Sequence, residues 1–372
     1  MRILEKIIFA SLVLVGNVNS KVAILMAGDN GGHVESAKSI ETSIRRLMPN
    51  IEIDLIKTDR LERYYNMYRF FPRILSILLY IFPIRFQRIM FGLFDRTLGR
   101  NLANYDLVIA NFPIAFERAA KVCSKYNVPL VIMPLDIDEA FNGDLIDYGP
   151  KPIYMLGTEY LKQKAANLPN VVPLSGLVLR DEFRNIRKLA KTHAKEQLEL
   201  DMNKPTVLVL FGSSGSVLMH KIAKLVAKDN SKQYIFICGR SHELIPKIQK
   251  LNPSFVVHGF VKDVAKHIRA ADLMIGKPGP GCISEAVQCE TKIIVLDRLL
   301  ETLPQEVGGV NLVVEKNYGA RIRNLSKLIA AIDKVLLLEP KFPENNASNE
   351  VAVFVKDVLA NLDPWRKRLY RL

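Results

Sequence analysis

The stretch Ile275-Gly276-Lys277-Pro278-Gly279-Pro280-Gly281-Cys282-Ile283-Ser284-Glu285-Ala286 turns an apolar strand into a tight glycine-rich loop and then into the acidic start of a helix. Gly279 and Gly281 have no Cβ, so backbone N–H groups there can approach a phosphate. The positive end of the following helix favours an anion, and Glu285 stands where a ribose hydroxyl can donate to it. Taken alone, the same pattern fits an ordinary strand-to-helix turn.

Two further loops of this kind change the balance. Thr206-Val207-Leu208-Val209-Leu210-Phe211 runs into Gly212-Ser213-Ser214-Gly215-Ser216, and two such loops in one half of the chain suggest one site. Near the N-terminus, Val22-Ala23-Ile24-Leu25-Met26-Ala27 leads into Gly28-Asp29-Asn30-Gly31-Gly32-His33 and then a helical stretch from Val34 to Met48. This third loop brings a titratable side chain, His33, to a helix start.

The chain has 372 residues, more than one core usually serves, so two α/β domains are expected. Its 49% hydrophobic content excludes general disorder, and a net charge of +14 favours an anionic partner. Nucleic acid is disfavoured, because no reading motif accompanies the charge and the aromatics cluster with aliphatics. Cys123, Cys238, Cys282 and Cys289 are scattered, which argues against a zinc site and against a disulfide framework.

Short apolar runs alternate with helix-length amphipathic stretches, as parallel sheets covered by helices require. Strands are expected at 22–27, 51–56, 107–110, 130–133 and 153–155. A second set is expected at 207–211, 234–238, 255–258, 273–275 and 293–296. Between the sets lies a charged helical stretch, Arg180 to Lys204, with the hinge placed near Arg180.

Residues 1–20 resemble a short signal peptide, with Arg2 and Lys6 before an apolar run too short to span a bilayer; a retained extension is the alternative. Phe70 to Phe94 is dense in Ile, Leu, Phe and Tyr and carries Arg73, Arg85 and Arg88 without an acid. That composition suits a membrane interface, or a pair of core helices. The C-terminus pairs an amphipathic helix, Val351 to Leu362, with a basic aromatic tail from Pro364 to Arg371. The helix is expected to bridge the domains and the tail to serve as a surface anchor.

The order of these pieces resembles the GT-B glycosyltransferases, and within them the monogalactosyldiacylglycerol synthase and processive diacylglycerol glucosyltransferase group. The likeness spans most of Lys21 to about Leu338. It rests on Asn30-Gly31-Gly32-His33 with Ser36-Ala37, Ser175-Gly176-Leu177-Val178, Ile237-Cys238-Gly239-Arg240 and His258-Gly259-Phe260-Val261. It continues through Gly279-Pro280-Gly281 with Ser284-Glu285-Ala286, and Pro304-Gln305-Glu306 with Val307-Gly308. A lipid-linked N-acetylglucosaminyltransferase of peptidoglycan synthesis is a more distant match.

The resemblance implies two Rossmann-like domains facing across a cleft: 21–180 for the acceptor, with the membrane segment 70–94, and 181–345 for the donor, followed by a C-terminal piece 346–372. It implies a peripheral membrane enzyme moving a hexose from a UDP-sugar to a diacylglycerol-type hydroxyl with inversion, on the cytoplasmic face or in an exported form, without a tightly bound cofactor or metal. In that role Phe260 and Val261 read the uracil edge through their backbone, and Glu285 takes the ribose. Gly212, Ser213 and Gly215 cradle the diphosphate with Gly279, Pro280 and Gly281, Gly239 and Ser284 belong to the same donor site, and Gln305 and Glu306 bind sugar hydroxyls. His33 is the expected base, or else a helix cap or diphosphate contact. The family's histidine after an Asp is missing from Pro134-Leu135-Asp136-Ile137-Asp138-Glu139-Ala140, so Asp136 or Asp138 is expected to substitute. Gly309 stands where the family commonly has Asn. The alternatives are a nucleotide-sugar epimerase of the same fold and a catalytically silent membrane-recruiting subunit.

Overall fold

The computed structural model describes residues 20–27, 32–58, 101–111, 113–137, 151–297, 302 and 306–370. The expectations for residues 1–19, for Phe70 to Phe94, and for Asn30, Gly31, Asp138, Pro304 and Gln305 lie outside these residues.

The N-terminal part alternates β1 (Lys21–Ala27), α1 (Gly32–Leu47), β2 (Glu52–Thr58), β3 (Leu107–Ala110), α2 (Pro113–Tyr126), β4 (Leu130–Ile132), β5 (Ile153–Leu156), α3 (Glu159–Lys164) and β6 (Val171–Pro173). The strands form one parallel sheet in the order β2-β1-β3-β4-β5-β6. Side chains alternate across it. Val22, Ile24, Leu107, Ile109, Val131, Ile153 and Met155 enter the core on the α1 side, while Ala23, Leu25, Val108, Ala110, Leu130, Ile132, Tyr154 and Leu156 meet α2 and α3. Burial on both faces explains why these strands read as continuous apolar runs.

Two single-turn helices at Asp181–Phe183 and Ile186–Lys188 and the short α4 (Lys191–Gln197) carry the chain across. The expected long linker helix is broken: Phe183 and Ile186 turn into the second domain's core. That domain comprises β7 (Thr206–Leu210), α5 (Leu218–Val226), β8 (Gln233–Ile237), α6 (Leu244–Gln249), β9 (Val256–His258), α7 (Val264–Ala270), β10 (Leu273–Gly276), α8 (Pro280–Gln288), β11 (Lys292–Leu296), α9 (Val307–Glu315), β12 (Gly319–Ile322) and α10 (Leu328–Leu336). Its parallel order is β12-β11-β10-β7-β8-β9.

The strands not anticipated from the sequence, β6 and β12, are sheet edges. They contain Pro173 and Gly319-Ala320-Arg321 and are only partly buried, so no apolar run marks them. Gly319 has a packing reason, since an added Cβ would fall 1.7 Å from the Ile293 carbonyl oxygen.

The C-terminus behaves differently from expectation. After α10 the chain returns to the first domain as α11 (Ala347–Ala360) and α12 (Leu362–Tyr370). Val351, Phe354, Val355, Val358 and Leu359 complete the core against α1. The tail's apolar side chains face inward: Trp365 lies edge-on to Phe354 at 5.6 Å, Leu369 is buried and the Tyr370 hydroxyl donates to the Val128 carbonyl. Of its basic residues, Arg366 pairs with Asp106 and Arg368 lies over the Trp365 ring. The part of the surface-anchor reading that rests on the tail's aromatic side chains is therefore corrected. Its aromatics close a core, because α11 leaves Phe354 uncovered without them.

Candidate active site

In each sheet the connections reverse direction once, between β1 and β3 and between β7 and β10. Loops diverge at the carboxyl ends of such strand pairs and leave a crevice. Both ends bear the residues singled out in the sequence.

On the second domain, the loops after β7 and β8 are interlocked through backbone. Gly212, Gly215 and Gly239 all have positive φ. An added Cβ on Gly215 would stand 2.3 Å from the Cys238 carbonyl oxygen, and one on Gly239 would stand 2.3 Å from the Ser213 carbonyl oxygen. Arg240 N–H donates to Ser213 O at 2.9 Å, and Ser241 Oγ to Ser214 O at 2.8 Å. No side chain fits at Gly215 or Gly239, so the loop's remaining backbone is held in one shape.

The loop after β10 lies beside it. An added Cβ on Gly212 would be 3.8 Å from Lys277 Cε, whereas one on Gly281 would meet nothing within 4 Å. Gly279 is the N-cap of α8, Pro280 opens the helix, and the first turn has no acid. Glu285 therefore sits in the second turn rather than at the helix start. Lys277 reaches Glu306 at 3.9 Å, and Glu306 is buried at the entrance of α9. The Phe260 ring is 57% exposed just beyond β9, with Val261 packed beneath the domain's core. Ser284 lies on α8 before Glu285.

Glu285 is held by a residue assigned only a hinge role from the sequence. Arg180 Nε and Nη2 donate to its Oε1 at 3.0 and 2.9 Å. Burial pushes the Glu285 carboxyl above its ordinary value, opposed by the Arg180 charge. Burial also works against the guanidinium, but Glu285 and Glu182 outweigh it and raise its pKa.

On the first domain His33 lies in the first turn of α1. Its Nδ1 is 3.1 Å from the Asn111 carbonyl oxygen, and Asn111 Nδ2 donates to the His33 carbonyl at 2.9 Å. A proton on Nδ1 puts the ring lone pair on Nε2, the tautomer a general base needs. Burial lowers the ring's pKa to about 4, so it is neutral at pH 7. Asn111 is fully buried after β3, and no described residue hydrogen-bonds its Oδ1.

Asp136 follows β4 and is buried. Burial, then the neighbouring charge of Glu306, raises its carboxyl to about 7. The two domains meet here. Ile137 joins the second domain's core, and an added Cβ on Gly309 of α9 would be 3.5 Å from its Cδ1. That Cβ would also strike Ile283 Cδ1 at 2.6 Å and Pro278 O at 2.7 Å. An asparagine does not fit there as α9 is packed, which gives this departure from the family pattern a steric reason.

The structure thus brings Gly212, Lys277, Gly279 and Glu306 together, sets Glu285 on Arg180, and places His33, Asn111 and Asp136 after the carboxyl ends of β1, β3 and β4. Sequence reasoning missed Arg180, Lys277 and Asn111 as site residues. Asn111 carries the one available signal, a polar residue directly after a buried parallel strand.

Residues 206–362 match the glycosyltransferase family 28 C-terminal domain. The chain is 24% identical over 369 residues to a processive diacylglycerol β-glucosyltransferase of Staphylococcus saprophyticus, covering 93% of this chain and 90% of that protein. It is 26% identical over 212 residues to the chloroplast monogalactosyldiacylglycerol synthase of Spinacia oleracea, covering 54% and 38%. The solved MurG structure of Acinetobacter baumannii superposes with a TM-score of 0.59 at 13% identity, covering 90% of this chain and 99% of that one. On its GT-B fold, the glycosyltransferase family 28 C-terminal domain over residues 206–362 and its whole-length similarity, the chain is a glycosyltransferase similar to the processive diacylglycerol glucosyltransferases and the monogalactosyldiacylglycerol synthases.

Proposed function

We propose that the protein transfers a hexose from a UDP-sugar to the hydroxyl of a diacylglycerol-type lipid, with inversion, at an anionic membrane surface. The observation that carries this reading is the pairing of two unlike edges across the cleft. One is made of locked main-chain loops with Lys277 and Glu285, and the other ends in a neutral histidine whose lone pair lies on Nε2.

Backbone at Phe260 and Val261 reads the uracil edge, Glu285 takes the ribose hydroxyls, and the loops at Gly212–Gly215 and Gly279–Gly281 hold the diphosphate with Lys277. As the sugar's anomeric carbon parts from UDP, negative charge grows on the diphosphate, and these N–H groups and the ammonium stabilise it. His33 takes the proton of the incoming lipid hydroxyl. Asp136, beside Glu306, faces the sugar and the acceptor together.

The net charge of +14 supports an anionic leaflet as the working surface, at about 1 kcal/mol per Lys or Arg near it. No described helix is long and apolar enough to cross a membrane. The test is incubation of the full chain with radiolabelled UDP-glucose or UDP-galactose and diacylglycerol in anionic vesicles. One labelled glycolipid is expected with one of the two donors, and its absence with both overturns the reading. Transfer that disappears when diacylglycerol is omitted separates this activity from an epimerase of the same fold.

A further inference from the structure

We propose that Arg180 is a positioning residue of the nucleotide site: it holds Glu285 with one carboxylate oxygen turned to the ribose, and so ties donor binding to the crossing between the domains. This rests on the ribose role proposed above for Glu285.

The geometry is specific. Both Nε and Nη2 of Arg180 bond to the same oxygen, Oε1, at 3.0 and 2.9 Å, and no described residue donates to Oε2. A ribose diol needs an acceptor of that kind. The third guanidinium nitrogen, Nη1, is 2.7 Å from Glu182 Oε1, and the guanidinium carbon lies 5.1 Å from the Phe183 ring centroid. Arg180 is thereby fixed from both sides, by the crossing and by α8. The Glu285 side chain is only 13% exposed. A carboxylate that dry keeps its charge only beside a cation.

A lysine does not reproduce this arrangement. Its single ammonium is a point charge, whereas the guanidinium fork serves Glu285 and Glu182 together. Arg180 belongs to the segment that leaves the first domain, and its neighbours Leu177 and Leu179 accept hydrogen bonds from Asn345 and Ser348 of the returning chain. Whatever swings one domain on the other moves the arginine that sets the ribose acceptor.

The groups facing Glu285 are Arg180 and Glu182 from the crossing, with Asp263 acting on Glu182, Cys282 on α8 and Cys289 at its C-cap. Burial raises both thiols, Cys282 to about 11, so they are neutral and Arg180 is the cation that matters. Without Arg180 the carboxyl protonates at higher pH and becomes a poorer acceptor, so UDP affinity falls as pH drops.

The experiment is calorimetry of the full-length protein with UDP across pH 5 to 8, on Arg180→Met, Arg180→Lys, Glu285→Gln and the Arg180→Met/Glu285→Gln pair. Arg180→Met is expected to weaken UDP by tenfold or more at pH 7 and to move the acid-side loss of affinity up by at least one pH unit. Arg180→Lys recovers part of both and carries the readout if the methionine variant misfolds. Glu285→Gln weakens UDP and leaves only the acid-side loss that protonation of the diphosphate itself causes, and adding Arg180→Met to it costs little more. In turnover, donor KM rises while kcat stays within about threefold. Native affinity and native pH dependence in both Arg180 variants overturn the proposal. Unchanged affinity in Glu285→Gln instead overturns the ribose reading itself.

Discussion

The two domains are built on the same pattern but finished differently. The second covers its sheet with helices drawn from its own stretch of chain and presents to the cleft a surface of locked backbone. The first borrows α11 and α12 from the far end of the chain and presents side chains, His33, Asn111 and Asp136. A donor with a fixed diphosphate suits rigid main-chain amides, which need no reorganisation as charge develops. Proton transfer instead needs a titratable group, which only a side chain supplies.

The sharpest break of this comparison is His33→Ala. With His33 as the proposed base, its loss is expected to lower kcat about 10³-fold while leaving UDP affinity intact, measured by glycolipid synthesis and calorimetry. Equal loss of UDP binding would assign His33 to the diphosphate instead.

On the backbone face the corresponding change is Gly239→Ala. Its positive φ and the 2.3 Å approach to Ser213 O leave no room for a methyl group, so the interlock with Gly212–Ser216 opens. A cost of about 3 kcal/mol in stability is expected, with a matching loss of UDP affinity. Denaturant unfolding and calorimetry read both.

Trp365→Ala probes the borrowed helices. It removes the ring that covers Phe354, at about 2 kcal/mol, and leaves UDP affinity unchanged because the donor loops lie in the other domain. A loss of UDP affinity with the melting shift would show that the borrowed helices hold the donor domain as well.

The smallest effect concerns pH. His33, held near 4, stays neutral throughout pH 5 to 8, so it does not shape the profile there. Asp136, raised to about 7, gains its charge as pH climbs through neutrality. If its carboxylate assists the acceptor, kcat/KM falls severalfold below pH 7, and Asp136→Asn flattens that limb. A limb that survives the substitution belongs to another group. Stability runs in the opposite sense: a carboxyl raised in the folded state stabilises below its unfolded value near 4, and that contribution is lost as pH rises through 7.

Much of the fold was legible because interior parallel strands must be apolar on both faces, as at Val207–Leu210 and Leu107–Ala110. The edges β6 and β12 were not, since an edge strand needs no such run. Glycine loops were legible as loops, but their reasons differ. Gly215 and Gly239 answer to neighbouring backbone, Gly319 to a sheet contact, and Gly281 to open space where a ligand can approach. Arg180 was read as a boundary because nothing in its local sequence shows what lies 105 positions away.

The amino-acid order by itself determined two parallel α/β domains, the loops after β1, β7 and β10, and the family resemblance, all of which follow from local periodicity and short motifs. Tertiary structure alone decided that Arg180 grips Glu285, that Asn111 sets the tautomer of His33, that Asp136 meets Glu306, and that the aromatic tail closes the first domain. Those outcomes depend on burial and on which distant groups share a few ångströms, and neither is encoded in any one stretch of chain.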